Sequence, residues 1–226
     1  MSKVELQPIA YIVTPFKETF GVPRQSGLVD TAAQIVFEPL YRSAEAVRGM
    51  EGFSHLWLIW HIDRNGPKWS PTVRPPRLGG NRRLGVFATR SPFRPNPLGL
   101  SCVELAKVDY DAPNGPVIHV RGADLVDGTP IFDIKPYVPY CDAHTDARGG
   151  FTDEQVFSAL QVDFPPALLE KVPAALRESL IATLAGDPRP QYQDDPARVY
   201  GLRFGGQNVR FRVADGVATV VEVERA

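Results

Sequence analysis

The chain has two cysteines, Cys102 and Cys141, and two methionines in 226 residues. They form no CxxC pair and no disulfide framework, which points to a reducing, cytoplasmic setting. No run of about 18 apolar residues is present, so no membrane span is expected. The N-terminus lacks a basic start followed by an apolar core, so no signal peptide is expected. No GxGxxG and no GxxxxGK[ST] occurs, which argues against a Rossmann or P-loop nucleotide fold. No GxSxG elbow anchors a Ser–His–Asp triad. The four histidines, His55, His61, His119 and His144, stand at no metal-ligand spacing with another His or Cys, so no metal is expected.

Acidic residues are also missing locally. Between Arg64 and Val103 there is no Asp or Glu, while Arg64, Lys68, Arg74, Arg77, Arg82, Arg83, Arg90 and Arg94 all lie there. The whole chain is at −1, so the remainder carries the compensating acid. Seven of these eight cations are Arg, which suits bidentate contact with phosphate or carboxylate. A solvated basic face is the plain alternative. Against it stands the setting, Pro/Gly turns rather than a polar helix.

What is abundant is proline: 22 residues, about twice ordinary usage, spread through turns as loop stiffening. Most segments between the turns read as strands. These are Ile9–Val13, Gln34–Glu38, Phe53–Ile62, Leu84–Thr89, Gly99–Tyr110, Gly115–Gly122 and Thr129–Tyr137. Turn signals separate them at Asn65-Gly66-Pro67, Gly79-Gly80-Asn81, Pro113-Asn114-Gly115 and Asp127-Gly128. Seven short strands with little helical period predict a closed or nearly closed β-barrel over residues 1–145. Tyr41–Glu51 reads as one short helix. Polar Cys141–Gly150 reads as a linker, and residues 150–226 as a small α+β domain. There, Gln155–Val162 reads as a strand and Asp163 as an N-cap, with Pro165-Pro166 opening a helix. Leu169, Val172, Leu176 and Leu180 follow at helical spacing, most simply as core, and Pro173 breaks the helix. Two or three strands close the chain, with turns at Gly205-Gly206 and Asp215-Gly216. The fold class is mainly β.

Two stretches invite chemistry. "GVFATRSPFRPNPLGLSCVEL" (Gly85–Leu105) crosses a loop with three prolines and two arginines, a stiff cationic holder. In "DLVDGTPIFDIKPY" (Asp124–Tyr137), Asp133 and Lys135 share a strand face with Ile131 and Tyr137, while Phe132, Ile134 and Pro136 take the other. A structural salt bridge is one reading of that pair; a polar site at a barrel mouth is the other.

These two stretches, with "VPRQSG" (Val22–Gly27), "FSHLW" (Phe53–Trp57), "RPPRLGG" (Arg74–Gly80) and "DPRPQY" (Asp187–Tyr192), resemble the TrmO (TsaA-like) family across nearly the whole chain. The resemblance implies a homodimeric β-barrel enzyme that uses S-adenosylmethionine as cofactor. It implies methylation of the exocyclic amino nitrogen of (threonylcarbamoyl-)adenosine at position 37 in the anticodon loop of threonine tRNA, with no membrane or DNA partner. Family members often carry His and a polar residue after the "FSHLW" strand, where this chain has Asp63-Arg64.

On that reading Pro23, Arg24, Gln25, Asp63, Arg64, Arg90, Arg94 and the turn Asp127, Gly128, Thr129, Pro130 are cofactor contacts, with Arg94 clamping a carboxylate or phosphate. Methyl transfer from a sulfonium is a direct displacement that needs alignment more than a nucleophile. Asp133 is the candidate proton acceptor, with Lys135 setting its charge and Asn96 second. Arg74, Arg77, Arg82, Arg83, Arg189 and Tyr192 are the candidate RNA contacts. The competing readings are a barrel module that binds RNA or a small ligand without chemistry, and a hydrolase using Asp127 and Asp133 as acid and base.

Overall fold

The computed structural model describes residues 4–66, 69–75, 82–154, 158–190 and 195–226. Six antiparallel strands close into a barrel in the order β1, β2, β7, β6, β3, β8. They are β1 (Ala10–Val13), β2 (Ala32–Phe37), β3 (His55–His61), β6 (Leu98–Asp109), β7 (Val117–Arg121) and β8 (Pro130–Pro136). Alternation builds the interior: Leu56 and Leu58 of β3 are fully buried, while His55, Trp57, Ile59 and His61 between them point out. Ile12, Ile35, Val103, Ile118 and Ile131 fill the same core.

A second sheet runs in the order β10 (Tyr200–Phe204), β11 (Gln207–Ala214), β12 (Val217–Arg225), β9 (Gln161–Asp163), with β9 parallel to β12. Its two hairpins turn through residues with positive φ, Gly205-Gly206 and Asp215-Gly216, the mirror-image turn that matches strand twist. Helices α2 (Pro166–Leu169) and α3 (Arg177–Ala185) lie against it, and Val172, Leu180 and Leu184 pack into its core. A further short helix, α1 (Pro139–Asp142), follows the barrel. The protein is mainly β, a barrel followed by a small α+β unit.

Several details differ from expectation. Leu84–Thr89 is not a barrel strand. Only β5 (Leu84–Gly85) is extended, paired with β4 (Thr72–Val73), and Val86–Ala88 then coils into a 3-10 turn. The reason is local: the Val86 and Thr89 carbonyls accept from Arg94 instead of from a neighbouring strand. Tyr41–Glu51 is not one helix but part of three 3-10 turns, 39–41, 44–47 and 50–52, divided by Gly49 at φ 83°. The first residue before α2 is Pro165, not Asp163, which belongs to β9. Of the expected strand 155–162, residues 155–157 lie outside the described residues and pairing begins at Gln161.

Strand β8 carries the most consequential difference. Ile59 pairs with Asp133 but Trp60 pairs with Ile131, so Phe132 is an extra residue in a bulge. The bulge breaks the two-residue period. Ile131 and Ile134 both pack on the core, so Asp133 does not share a face with Ile131.

The two cores meet through the segment after β1. Phe16 is fully buried in the second core, edge-on to Phe204 at 5.3 Å between ring centroids. The Gly205 N–H donates to the Pro15 carbonyl at 2.8 Å. Phe16→Ala should therefore cost about 3–5 kcal/mol, read by thermal unfolding; a loss under about 1 kcal/mol would mean that the two units are not tied through this ring.

Candidate functional site

One barrel end collects the loops after β1, β3 and β7 and those before β2, β6 and β8. Four segments meet there. The Gly27 N–H donates to the Gly122 carbonyl, bringing in the Val22–Gly27 loop, and the Ile62 N–H donates to the Pro97 carbonyl, bringing in the Arg/Pro loop, both at 2.8 Å. The turn Asp127–Thr129 is the centre. Gly128 sits at φ 77° with open space where a side chain would be, so a ligand can approach the backbone there. The Asp127 carboxylate accepts from the Thr14 N–H at 3.0 Å and pairs with Lys17 Nζ at 2.7 Å. Arg64 Nη2 donates to the Asp127 carbonyl at 3.0 Å. Thr129 is buried, its hydroxyl donating to the Val126 carbonyl at 2.7 Å. The residues Asp63 and Arg64, on a 3-10 turn, are exposed beside this turn, and Pro130 begins β8.

The Val22–Gly27 loop adds Gln25, whose Oε1 accepts from Arg90 and whose amide donates to the Arg24 carbonyl. Pro23 is half-buried beside them. Arg24 points the other way: its Nη2 donates to the Asp187 carbonyl at 3.0 Å, and burial lowers its pKa, partly offset by Asp187. It links the barrel to the second unit rather than lying open to a ligand. Arg94 is also committed, donating to the Val86 and Thr89 carbonyls at 3.1 and 2.7 Å with its guanidinium 5.6 Å from the Phe87 ring centroid. It stiffens the loop from within, so Arg64 and Arg90 are the cations presented at the mouth.

Asp133 and Lys135 are not at this mouth. Asp133 is six residues beyond Asp127, up to about 20 Å in extended backbone. Its carboxylate pairs with Lys135 Nζ at 2.9 Å and it borders a cleft of about 370 Å³ at the far end, with Ile9, Phe37, Tyr41, Val47 and Met50. Asp127 and Asp133 therefore do not converge as a hydrolytic acid/base pair. Asn96 is exposed on the loop before β6.

Of the candidate RNA contacts, Arg74 and Arg83 are exposed, and Arg82 forms a surface pair with Glu154 at 3.1 Å. Arg189 is turned inward instead: its side chain is 11% exposed and grips the Asp187 carboxylate through Nε and Nη2. Arg77 and Tyr192, with Lys68, lie outside the described residues. Exposed rings that sequence reading passes over flank the basic loop: Trp69, Phe87 and Phe93. Their signal is aromatic residues interleaved with Arg. Lys17 and Thr14, which hold Asp127, also escape the sequence; nothing in their local spacing connects them to a turn 110 residues away.

Together these features define a class: a closed antiparallel barrel with a loop-built mouth, carrying a polar turn and cations, followed by a small α+β unit. Residues 11–143 match the tRNA-methyltransferase O N-terminal domain, and residues 158–226 match the TrmO C-terminal domain. The chain belongs to the tRNA-methyltransferase O family. It is 42% identical to the Escherichia coli K12 tRNA (adenine(37)-N6)-methyltransferase, covering 99% of both chains. It is 40% identical to RcsF of Pseudomonas aeruginosa, provisionally named an S-adenosylmethionine-dependent methyltransferase, over 91% of each. The crystal structure of TrmO from Pseudomonas aeruginosa superposes with a TM-score of 0.79 at 32% identity, covering 99% of this chain and 100% of that one.

The internal role of Arg94 is testable. Arg94→Ala should speed amide hydrogen exchange across residues 86–94 by roughly tenfold or more, since two charge-assisted bonds to carbonyls are removed. Unchanged exchange would return Arg94 to the pool of free ligand-binding cations.

Proposed function

We propose that the chain transfers a methyl group from S-adenosylmethionine to the exocyclic amino nitrogen of adenosine 37 in tRNA, the threonylcarbamoyl-adenosine of threonine tRNA in particular. The observation that carries the reading is the polar turn at Asp127–Thr129 in the mouth, joined to membership of a family whose relatives bear that activity in their names.

The residues at the mouth fit the methyl donor. Gly128 leaves backbone open to a ribose or adenine edge, Asp63 and Asp127 offer acceptors to hydroxyls or an ammonium, and Arg64, Arg90 and Gln25 offer donors to a carboxylate. When bound, S-adenosylmethionine supplies an activated methyl on a sulfonium with a neutral leaving group. The protein's work is then to orient donor and acceptor at about 3–3.5 Å and to keep water out, using loops whose prolines and internal Arg94 bonds limit motion. Pro23, Thr129 and Pro130 shape the pocket walls. Arg24 acts at one remove, holding its loop against the second unit.

For RNA, Arg74, Arg77, Arg82 and Arg83 supply phosphate contacts, and Trp69, Phe87 and Phe93 supply planes on which splayed anticodon-loop bases stack. Arg189 contributes by holding Asp187, and Tyr192 is a further RNA contact. The barrel, residues 1–145, carries the cofactor; the unit over 150–226 extends the RNA surface.

The protein works as a homodimer in the cytoplasm. No described helix is long and apolar enough to cross a membrane. The outer face of β6, β3 and β8 presents Leu98, Leu100, Ile59, His61 and Phe132 around the Asp133–Lys135 pair, an apolar surface that a second copy would cover. In that assembly Asp133, paired with Lys135, faces a neighbouring protomer and takes the amine proton, with Asn96 orienting the amine.

The test is mass spectrometry of nucleosides from tRNA incubated with S-adenosylmethionine. One added methyl on the position-37 nucleoside supports the reading; cofactor binding without product would favour a non-catalytic module. Two variants refine it. Asp133→Asn should cut turnover about 10²-fold or more while cofactor affinity stays within about twofold; a collapse of affinity would make Asp133 a ligand-binding group. Neutralising Arg74, Arg82 and Arg83 should flatten the salt dependence of tRNA binding by close to one unit of slope for each phosphate no longer neutralised, and an unchanged slope would take them off the RNA surface.

A further inference from the structure

The cation that meets the Asp127 carboxylate is Lys17, 110 residues away in the chain. Both partners stand on fixed backbone. Beside Lys17, Phe16 is fully buried in the second core, and its carbonyl accepts from the Asp127 N–H at 2.8 Å. On the other side, the Glu18 carboxylate accepts from the Arg203 N–H at 3.2 Å. Asp127 accepts from the Thr14 N–H at Oδ1, 3.0 Å, and from Lys17 Nζ at Oδ2, 2.7 Å. Arg64 meets the same residue at its backbone carbonyl, 3.0 Å away. One carboxylate is thus flanked by two cations, and Gly128 next to it leaves open space for a ligand.

An ion pair between exposed side chains ordinarily contributes little to stability. This pair is partly open, with the Lys17 side chain 45% exposed and that of Asp127 30%. Among the described residues, Lys17 commits its ammonium to Asp127 alone, and Arg64 donates to the Asp127 carbonyl alone. An ammonium has three donors and a guanidinium five, so both cations keep donors to spare. A fixed anion beside two such cations is complementary to a zwitterion, whose carboxylate meets the cations while its ammonium meets the acid. The methyl donor has one zwitterionic end, its α-amino and α-carboxylate groups. Its ribose and adenine are neutral, and its sulfonium carries no anion.

We propose that Lys17, Asp127 and Arg64 seat the amino-acid end of S-adenosylmethionine: Lys17 and Arg64 donate to the carboxylate, and Asp127 accepts from the α-ammonium. The inference rests on the functional reading above and deepens it, by adding Lys17 to the site and assigning it to one end of the donor. Without ligand, Lys17 and Asp127 satisfy each other. With ligand, each exchanges that partner for one of opposite charge, so neither state leaves a bare ion in the mouth.

The experiment is calorimetric titration of S-adenosylmethionine and of its decarboxylated form into the full chain, for wild type, Lys17→Met and Lys17→Arg. Wild type should prefer the intact donor. Lys17→Met should lose about tenfold or more in affinity for the intact donor, while its affinity for the decarboxylated form stays within about twofold or rises. Lys17→Arg should recover most of the loss, and both variants should keep their Tm within a few degrees, as expected for a partly exposed pair. The comparison is a cycle between one side chain and one ligand group, so a purely structural role for Lys17 would lower both affinities alike. Equal losses for the two ligands overturn the proposal, as does a Lys17→Met that binds the intact donor like wild type; either result leaves the functional reading standing. A wild type that takes up neither ligand overturns both. Should Lys17→Met not fold, a Lys17→Arg that has lost all preference for the intact donor overturns the proposal, and one that keeps it supports the seat.

Discussion

The structure depends on how its barrel is closed. Strands β1 and β8 pair over only two positions, Ala10 with Ile131 and Tyr11 with Pro130. So short a seam would be the weak point of a six-strand barrel. It is lengthened by the turn that precedes β8. The Ile12 N–H donates to the Thr129 carbonyl at 3.2 Å, the Gly128 N–H to the Ile12 carbonyl at 2.8 Å, and the Thr14 N–H to the Asp127 carboxylate at 3.0 Å, with Lys17 alongside. The groups that finish the barrel are the same groups that form the polar turn of the mouth. Closing the fold and building the site are one event, and this is why a site made of loops can be preorganised.

The same double use holds around the mouth. Arg94 commits its donors to its own loop, and Arg24 reaches across to the Asp187 carbonyl, so two guanidiniums that look available in sequence act as internal braces. The next segment after β1 runs into the second core, where Phe16 packs on Phe204. The small α+β unit is thereby attached directly behind the Lys17–Asp127 pair. A disturbance in either unit reaches the site through a few residues.

Much of this is legible in the residues. The six barrel strands β1, β2, β3, β6, β7 and β8, the Gly-containing hairpin turns and the Pro173 break all appear where local chemistry predicts them. The stiff cationic loop and the Asp127-Gly128 turn also emerge from the sequence as unusual. What escapes depends on partners distant in the chain. Leu84–Thr89 has the composition of a strand, but Arg94 takes the carbonyls that a strand would pair. Asp133 alternates correctly on paper, yet the bulge at Phe132 turns it away from the face of Ile131. Asp124 carries no separate signal within its stretch, and only the approach of Ser101 and Trp60 from two other strands shows the hydrogen-bond chain that it ends.

The barrel seam and the polar turn of the mouth are one structure. Amide hydrogen exchange at Ile12, Thr14, Gly128 and Thr129, measured with and without saturating S-adenosylmethionine, addresses that claim most directly. Marked slowing at all four amides together is expected when the cofactor binds. Binding detected by heat with exchange at these amides unaltered would contradict it.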